Sequence, residues 1–202
     1  MRISELSRVT GVPVATVKYY LREGLVPSGR ATGATQAQYD ESHVARLRLA
    51  RALVQVGGLS VASARDVLAS LDAGKGSLHR VLGAAHSALP PQLADDHDPT
   101  RARELATAWG WRVHPDAAAL RQLEHALQAL ADVGAPASDE RLARYADLAH
   151  RIAEVDVAGV PTTSTEEAAT TVVVGTVLWE PVLLALRRLA QEAVSAEVLD
   201  DY

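Results

Sequence analysis

The stretch TGVPVATVKYYLREGLV, residues 10–26, decides how this chain is read. Gly11 can take the left-handed conformation that ends a helix, and Pro13 stands near the start of a second one, where its missing N–H loses no bond. The run then carries a threonine, a lysine and two adjacent tyrosines before Gly24 stops it. Upstream, Ile3, Leu6 and Val9 repeat at helical spacing, with Ser4 placed to cap the first turn. Two short helices are predicted, over about residues 4–9 and from Pro13 through Glu23, joined by a tight turn containing glycine. That is the helix-turn-helix pattern, whose second helix enters the major groove of duplex DNA.

Working outward, residues 26–39 are rich in Gly, Ala, Ser and Thr without a helical period, which predicts a loop or short hairpin, read as a wing. Asp40 or Ser42 then caps a helix through Val56 with Leu47, Leu49 and Leu53 inside. Gly57-Gly58 breaks it before a further helix over 60–71. Residues 72–76, Asp-Ala-Gly-Lys-Gly, read as a linker. Five or six ordinary helices are expected beyond it: 77–89, ended by Pro90-Pro91; one opened by Asp98-Pro99 and running to Trp109 or Gly110; and one opened by His114-Pro115-Asp116, with Leu120, Leu123, Leu127 and Leu130 on one face. The next starts at Ser138 and is expected to bury Leu142, Tyr145, Leu148, Ile152 and Val155. A last pair follows, the first opened by a Ser164–Glu167 capping box and running to Trp179, with Pro181 kinking or restarting the helix toward Val198. The fold class is all-α, with a winged helix-turn-helix domain over 1–72 and a helical bundle over 77–202.

Composition narrows the function classes. Cysteine is absent from the 202 residues, which excludes disulfides, thiolate metal sites and thiol redox sensing. The long apolar run over 172–186 is interrupted by Glu180 and Pro181 and reads as too short to span a bilayer, so a soluble cytoplasmic protein without a membrane partner is expected. The net charge of −5 hides an asymmetry: residues 1–72 hold 9 Lys and Arg against 6 Asp and Glu, a balance of +3, while 73–202 hold 11 against 19, a balance of −8. A mildly basic head on an acidic body suits a polyanion-binding head. Lys18, Arg22 and Arg30 can displace condensed counterions, Thr16, Tyr19 and Tyr20 can donate to phosphate oxygens, and Val14, Ala15 and Thr16 start the second helix near base edges.

The residues Ile3-Ser4-Glu5-Leu6-Ser7, Gly11-Val12, Thr16-Val17-Lys18-Tyr19-Tyr20, Gly24-Leu25-Val26-Pro27, Arg30, Tyr39-Asp40 and Val44-Ala45-Arg46-Leu47 together resemble the DNA-binding domain of the MerR family of transcription regulators. The resemblance implies that Lys18, Tyr19, Tyr20 and Arg30 hold phosphates of a bent promoter duplex, with RNA polymerase acting at the same promoter. The family's wing usually ends in Tyr-Arg-x-Tyr; here it reads Gln36-Ala37-Gln38-Tyr39, so Arg30 or Gln36 stands in for the missing pair. The likeness ends near Gly74, and the long coiled-coil helix typical of the family is not expected. The helices beyond it resemble the ligand-binding and dimerising domain of TetR-type regulators, as attached to some actinobacterial MerR-like heads.

In that body Trp109, Trp111 and Trp179 are the only indoles of a chain without phenylalanine. They read either as core residues or, with Tyr145, as walls of a pocket for an apolar or aromatic effector. The histidines do not suggest a metal site: His79 and His86 are seven apart, and Asp95-Asp96-His97-Asp98 reads as a solvated loop ending in a helix cap. No catalytic motif and no cofactor signature is present, so the chain is not expected to be an enzyme. Two readings follow: an effector-responsive regulator binding DNA as a homodimer paired through the last two helices, or a ligand-free architectural dimer.

Overall fold

The computed structural model describes residues 1–33, 36–73, 78–91, 93, 98–162 and 164–199. Among them run nine helices and one two-stranded sheet. The head opens with α1 (Ile3–Thr10) and α2 (Val14–Arg22), continues through a hairpin of β1 (Arg30–Gly33) and β2 (Gln36–Gln38), and closes with α3 (Glu41–Gln55) and α4 (Val61–Asp72). The hairpin is antiparallel, with Arg30 opposite Gln38 and Ala31 opposite Ala37, and it is the wing. The body comprises α5 (Leu78–Ala88), α6 (Thr100–Ala108), α7 (Ala118–Asp132), α8 (Asp139–Ala158) and α9 (Thr165–Leu199).

Local chemistry sets the helix ends. Gly11 ends α1 in the left-handed region at φ 68°, and Pro13 occupies the cap position of α2. Asp40 caps α3: its carboxylate accepts from the Ser42 and His43 amides, and the His43 ring returns a bond to the Asp40 amide. Ser60 and Ser138 cap α4 and α8 through their hydroxyls. Two expected caps are replaced. α1 begins at Ile3 with Arg2 before it, so Ser4 lies inside the helix. At α6 the carboxylate that meets the orphan amides comes from the neighbouring helix, Glu124 Oε2 accepting from Ala102 N at 2.7 Å, while Asp98 accepts from the Thr100 hydroxyl.

The main core is larger than the head. Leu6, Val17, Leu25, Leu47, Leu53 and Leu68 are fully buried, each worth about 1.5–3 kcal/mol of burial. The same cluster takes in Val81, Ala85 and Ala88 of α5, Leu89 just beyond it, and Ala169, Val173 and Val177 of α9. The last three recur every fourth residue and so form one stripe, with Val173 and Val177 wholly buried. Gly57 makes room for it: a Cβ there would stand 2.2 Å from Val177 Cγ1. The head and the first half of α9 therefore share a core across the predicted linker, whose residues 74–77 lie outside the described ones. A satellite cluster of Ala102, Ala106 and Leu120, with Trp111 and Leu123 against it, joins α6 to α7.

Of the two outcomes left open at Pro181, a kink or a restart, the restart is ruled out, and the cover expected for α8 is corrected. Pro181 lies inside a single 35-residue helix. One lost backbone bond, about 3 kcal/mol at a proline, does not outweigh the cooperativity of so long a segment. With α9 continuous, Trp179, Val182, Leu186, Leu189, Ala193 and Ala196 recur at alternating steps of three and four, a heptad seam that two separate helices conceal. Over 167–198 the helix is also long and apolar enough to cross a bilayer by length and composition, which the shorter run over 172–186 did not suggest; its first half is instead packed on the head. On α8 the face expected to be buried is apolar as read, yet Tyr145, Leu148, Ile152 and Val155 are exposed, and Ala146 is buried. Among the described residues that face stays largely uncovered.

Candidate nucleic-acid interface

The turn between α1 and α2 is fixed from both sides. The Ser7 hydroxyl donates to Val12 O at 2.6 Å and the Thr10 hydroxyl to Leu6 O at 2.7 Å. Arg48 and Arg51, on α3, reach across to the Val9 and Thr10 carbonyls at 3.3 and 3.4 Å, where cations meet the negative end of the α1 dipole. The far end of α2 is held by Arg46, whose Nε donates to Leu25 O at 2.8 Å while its two terminal nitrogens grip the Asp72 carboxylate at 2.9 and 2.5 Å. The last turn of α1 and the turn after α2 are thus both held by arginines of α3.

On α2 the exposed residues Ala15, Lys18, Tyr19 and Arg22 stand at i, i+3, i+4 and i+7, one face of the helix. Val17 and Tyr20 turn into the core, and Val14 and Thr16 are half-buried at its start. The guanidinium of Arg22 lies 5.2 Å from the Tyr19 ring centroid and 3.3 Å from the Glu23 carboxylate, which orients the ring without burying its hydroxyl. In the wing, Arg30 Nη2 donates to Gln38 Oε1 at 3.2 Å, and Gln36 is exposed on the second strand. Exposed cations, a phenol and a small residue at the helix start can neutralise phosphates while leaving room for base edges.

Tyr20 departs from the placement implied by the resemblance. It is 3 % exposed, against 37 % for Tyr19, and desolvation raises its phenol above the ordinary value, with Arg51 opposing the shift. The ring is core; only the protonated hydroxyl could serve a phosphate. Arg48 and Arg51 escaped the sequence reading, although their pattern, arginines two and five residues after Arg46 on the helix behind the motif, was there to be seen.

The candidate effector residues fall into separate places. Trp109 meets Trp111 edge to face at 5.1 Å, and Trp111 stacks on His150 of α8 at 6.2 Å and 22°. Tyr145 lies beside Arg141 and Arg187 instead, and Trp179 is 51 % exposed on the α9 seam. Among the described residues no group of three or more His, Asp or Glu could hold a metal ion; residues 95–97 and the side chain of His79 lie outside them.

Comparison with known proteins matches this geometry. Residues 1–71 fit the family described as MerR HTH family regulatory protein. The chain is 38% identical over 47 residues to the HTH-type transcriptional regulator ZntR homolog of Haemophilus influenzae, a match spanning 23% of this chain and 35% of that one, so the likeness to this relative covers about a third of its length. The crystal structure of SCO5550 of Streptomyces coelicolor A3(2), assigned as a transcriptional regulator, superposes with a TM-score of 0.70 at 38% identity, over 98% of this chain and 97% of that one. Residues 1–71 thus belong to the MerR family of helix-turn-helix regulators, on a chain that shares its fold nearly end to end with a transcriptional regulator.

Proposed function

We propose that the protein is a one-component regulator that binds promoter duplex DNA as a homodimer and responds to a small apolar or aromatic effector. The observation that carries the DNA reading is the exposed Ala15–Lys18–Tyr19–Arg22 face on a helix whose flanks are held by Arg46, Arg48 and Arg51. Lys18, Tyr19, Arg22 and Arg30 take phosphates, Gln36 and the Tyr20 hydroxyl support them, and Val14, Ala15 and Thr16 approach base edges. Action at a promoter brings RNA polymerase as a further partner and a cytoplasmic location. The division into a head over 1–72 and a body over 77–202 stays useful as a division of labour, with α5 and the first half of α9 docked on the head.

A second copy of the chain is the occupant that suits the bare faces of α8 and α9. A heptad seam is self-complementary under a two-fold axis, and the α8 line of Tyr145, Leu148, Ile152 and Val155 repeats the same spacing. Glu180, Arg187 and Arg188 interrupt α9 in a way that lipid would penalise and an interface rim tolerates. Light scattering on the purified protein, combined with operator binding, tests the reading. A dimer that falls to a monomer in Leu186→Glu/Leu189→Glu, with operator affinity lost in parallel, is expected; a wild-type monomer at micromolar concentration refutes it.

The alternative, an architectural dimer without a ligand, draws on the seat of Trp111 against the α6–α7 core. Titrating apolar compounds while following tryptophan fluorescence and operator affinity separates the two. A broad panel that moves neither signal leaves the architectural reading standing.

A further inference from the structure

Arg46 is the most enclosed of the three α3 arginines that reach back to the helix-turn-helix: its side chain is 15 % exposed, whereas Arg48 and Arg51 are exposed residues. Its guanidinium meets acceptors from two directions. Nε donates to Leu25 O at 2.8 Å, in the segment between α2 and the wing. Nη1 and Nη2 take the two oxygens of Asp72, the last residue of α4, and Nη2 also donates to Leu68 O at 3.4 Å. A rigid planar fork can aim its donors at all of these groups together, and the single ammonium of a lysine cannot.

The Leu25 peptide is the point that the fork holds. Its N–H donates to Tyr20 O at 2.9 Å, closing the end of α2, while its carbonyl is the one that Arg46 takes. Leu25 and Val26 are buried, and Gly29 lies so close to the end of β2 that a Cβ would stand 2.7 Å from Gln38 O and 2.9 Å from Tyr39 Cε1. The segment from α2 to Arg30 therefore has little slack, and Leu25 O is its bond to α3. Lys18, Tyr19 and Arg22 come before that bond and Arg30 after it. Phosphates on a duplex have a set spacing, so the two groups engage in register only when their separation is held.

Asp72 extends the connection toward the body. It closes α4, which packs against α5, with Val67 and Leu68 of the one and Val81 and Ala85 of the other in a single core cluster. Its side chain is 64 % exposed, so the ion pair adds little to stability and its effect is to orient the guanidinium.

We infer that Arg46 is a positioning residue for DNA recognition: oriented by Asp72 and acting through Leu25, it fixes the offset between the α2 face and Arg30 of the wing, and sequence discrimination depends on that offset. The guanidinium itself touches no DNA. The inference rests on the DNA-binding reading above and adds to it a residue outside the contact face.

The test uses the full-length protein and two duplexes, one selected by wild type from a random-sequence library and one with the same bases scrambled. Fluorescence anisotropy at several salt concentrations gives both affinities, and far-ultraviolet circular dichroism gives the folded fraction. Arg46→Lys keeps the charge and loses the fork; its preference for the selected duplex should fall about tenfold with the salt slope unchanged. Asp72→Asn should lower the preference about threefold, and the double variant should discriminate no worse than Arg46→Lys alone, because both substitutions break one device. An unchanged preference, or losses that are equal on both duplexes and follow the folded fraction, makes Arg46 a structural residue and overturns the inference. A salt slope lowered by about one phosphate in Arg46→Met assigns the guanidinium to DNA directly and overturns it as well. Full additivity of Arg46→Lys and Asp72→Asn refutes the orienting role of Asp72. Should Arg46→Lys fail to fold, Asp72→Asn decides by the same ratio, since its exposed site spares the fold. A wild type that selects no sequence removes the DNA reading itself, and this inference with it.

Discussion

Exchanging one hydrogen for a methyl group at Gly57 should loosen α9 from the head, and the structure fixes how much. A Cβ at this position would lie 2.2 Å from Val177 Cγ1 and 2.9 Å from Leu53 O, whereas carbon atoms prefer about 3.5–4.0 Å. Gly57 is not among the glycines with positive φ, unlike its neighbour Gly58 at φ 69°, so alanine is opposed there by sterics and not by backbone conformation. Overpacking of this kind costs about 1–3 kcal/mol, reduced by roughly 0.4–1 kcal/mol because alanine restricts the unfolded chain. Val177→Ala removes two buried methyl groups, about 1.6 kcal/mol of transfer free energy at roughly 0.8 for each carbon, and the cavity left behind brings the loss to about 2–3 kcal/mol.

The two substitutions should not add. Once the Val177 methyls are gone, the new Cβ is crowded by the Leu53 carbonyl and merely touches Leu59 Cδ1 at 3.5 Å, so Gly57→Ala/Val177→Ala should recover about 1 kcal/mol relative to the sum of the single variants. Urea unfolding followed by circular dichroism and by tryptophan fluorescence measures all four proteins. In a Trp109→Phe/Trp111→Phe background fluorescence reports Trp179, two residues beyond Val177, and the two signals should shift together if α9 and the head unfold as one unit. Additivity within about 0.5 kcal/mol, or a harmless Gly57→Ala, would refute the shared core.

Lys18→Ala should weaken binding to every DNA sequence about equally and lower the salt dependence by roughly one phosphate, read from affinity titrations at several salt concentrations. Arg46→Met should destabilise the fold by about 1–3 kcal/mol in urea melts, since it strips the bond to Leu25 O as well as the exposed Asp72 pair, while Asp72→Asn should cost well under half as much. Asp40 is held below the usual carboxylate range, first by the Ser42 hydroxyl and then by His43, so its contribution is present above the unfolded carboxylate value near ~4 and fades as pH falls toward its lowered folded value. Melting temperatures of wild type and Asp40→Asn should therefore differ at pH 6 and converge progressively below about pH 4.

The head was legible because its determinants are local. Gly11 and Gly24, both at positive φ, punctuate the motif, and Asp40 caps the next helix by a side chain a few atoms from its target. Every such interaction closes over a few residues, so the order of letters suffices to find it. Tyr19 and Tyr20 mark the limit of that method: adjacent and alike in sequence, they point 100° apart around α2, and only the core that takes Tyr20 with Val17 and Leu25 determines which one is buried. The body was less legible because its determinants are remote. Glu124 serves the amides of a helix twenty-two residues before it, and the seam of α9 becomes visible only when the helix is allowed to pass through Pro181. A proline rule applied locally leaves a kink or a restart open, and only the length of the helix rules out the restart. The apolar face of α8 was recognised correctly as apolar and assigned the wrong cover, because amphipathicity records that a surface needs burying and not which chain buries it.

That last point bears on how a body site could act on DNA at all. The predicted linker at 72–76 suggests two units joined by a flexible segment, through which a ligand could transmit little. The structure supplies a second connection, since α9 is embedded in the head core at Val173 and Val177 and continues without a break to Arg187. Ten residues separate Val177 from Arg187, about 15 Å along a helix that is stiff over this length. A partner subunit or an effector that engages the second half of α9 therefore acts on a rod whose other end is seated beside Gly57, between α3 and α4. The effect at α2 is limited to the difference in the ligand's affinity for the two positions of that rod. A loosened seat should leave ligand binding and dimerisation in place while uncoupling both from operator affinity, which makes Gly57→Ala a probe of communication as well as of stability.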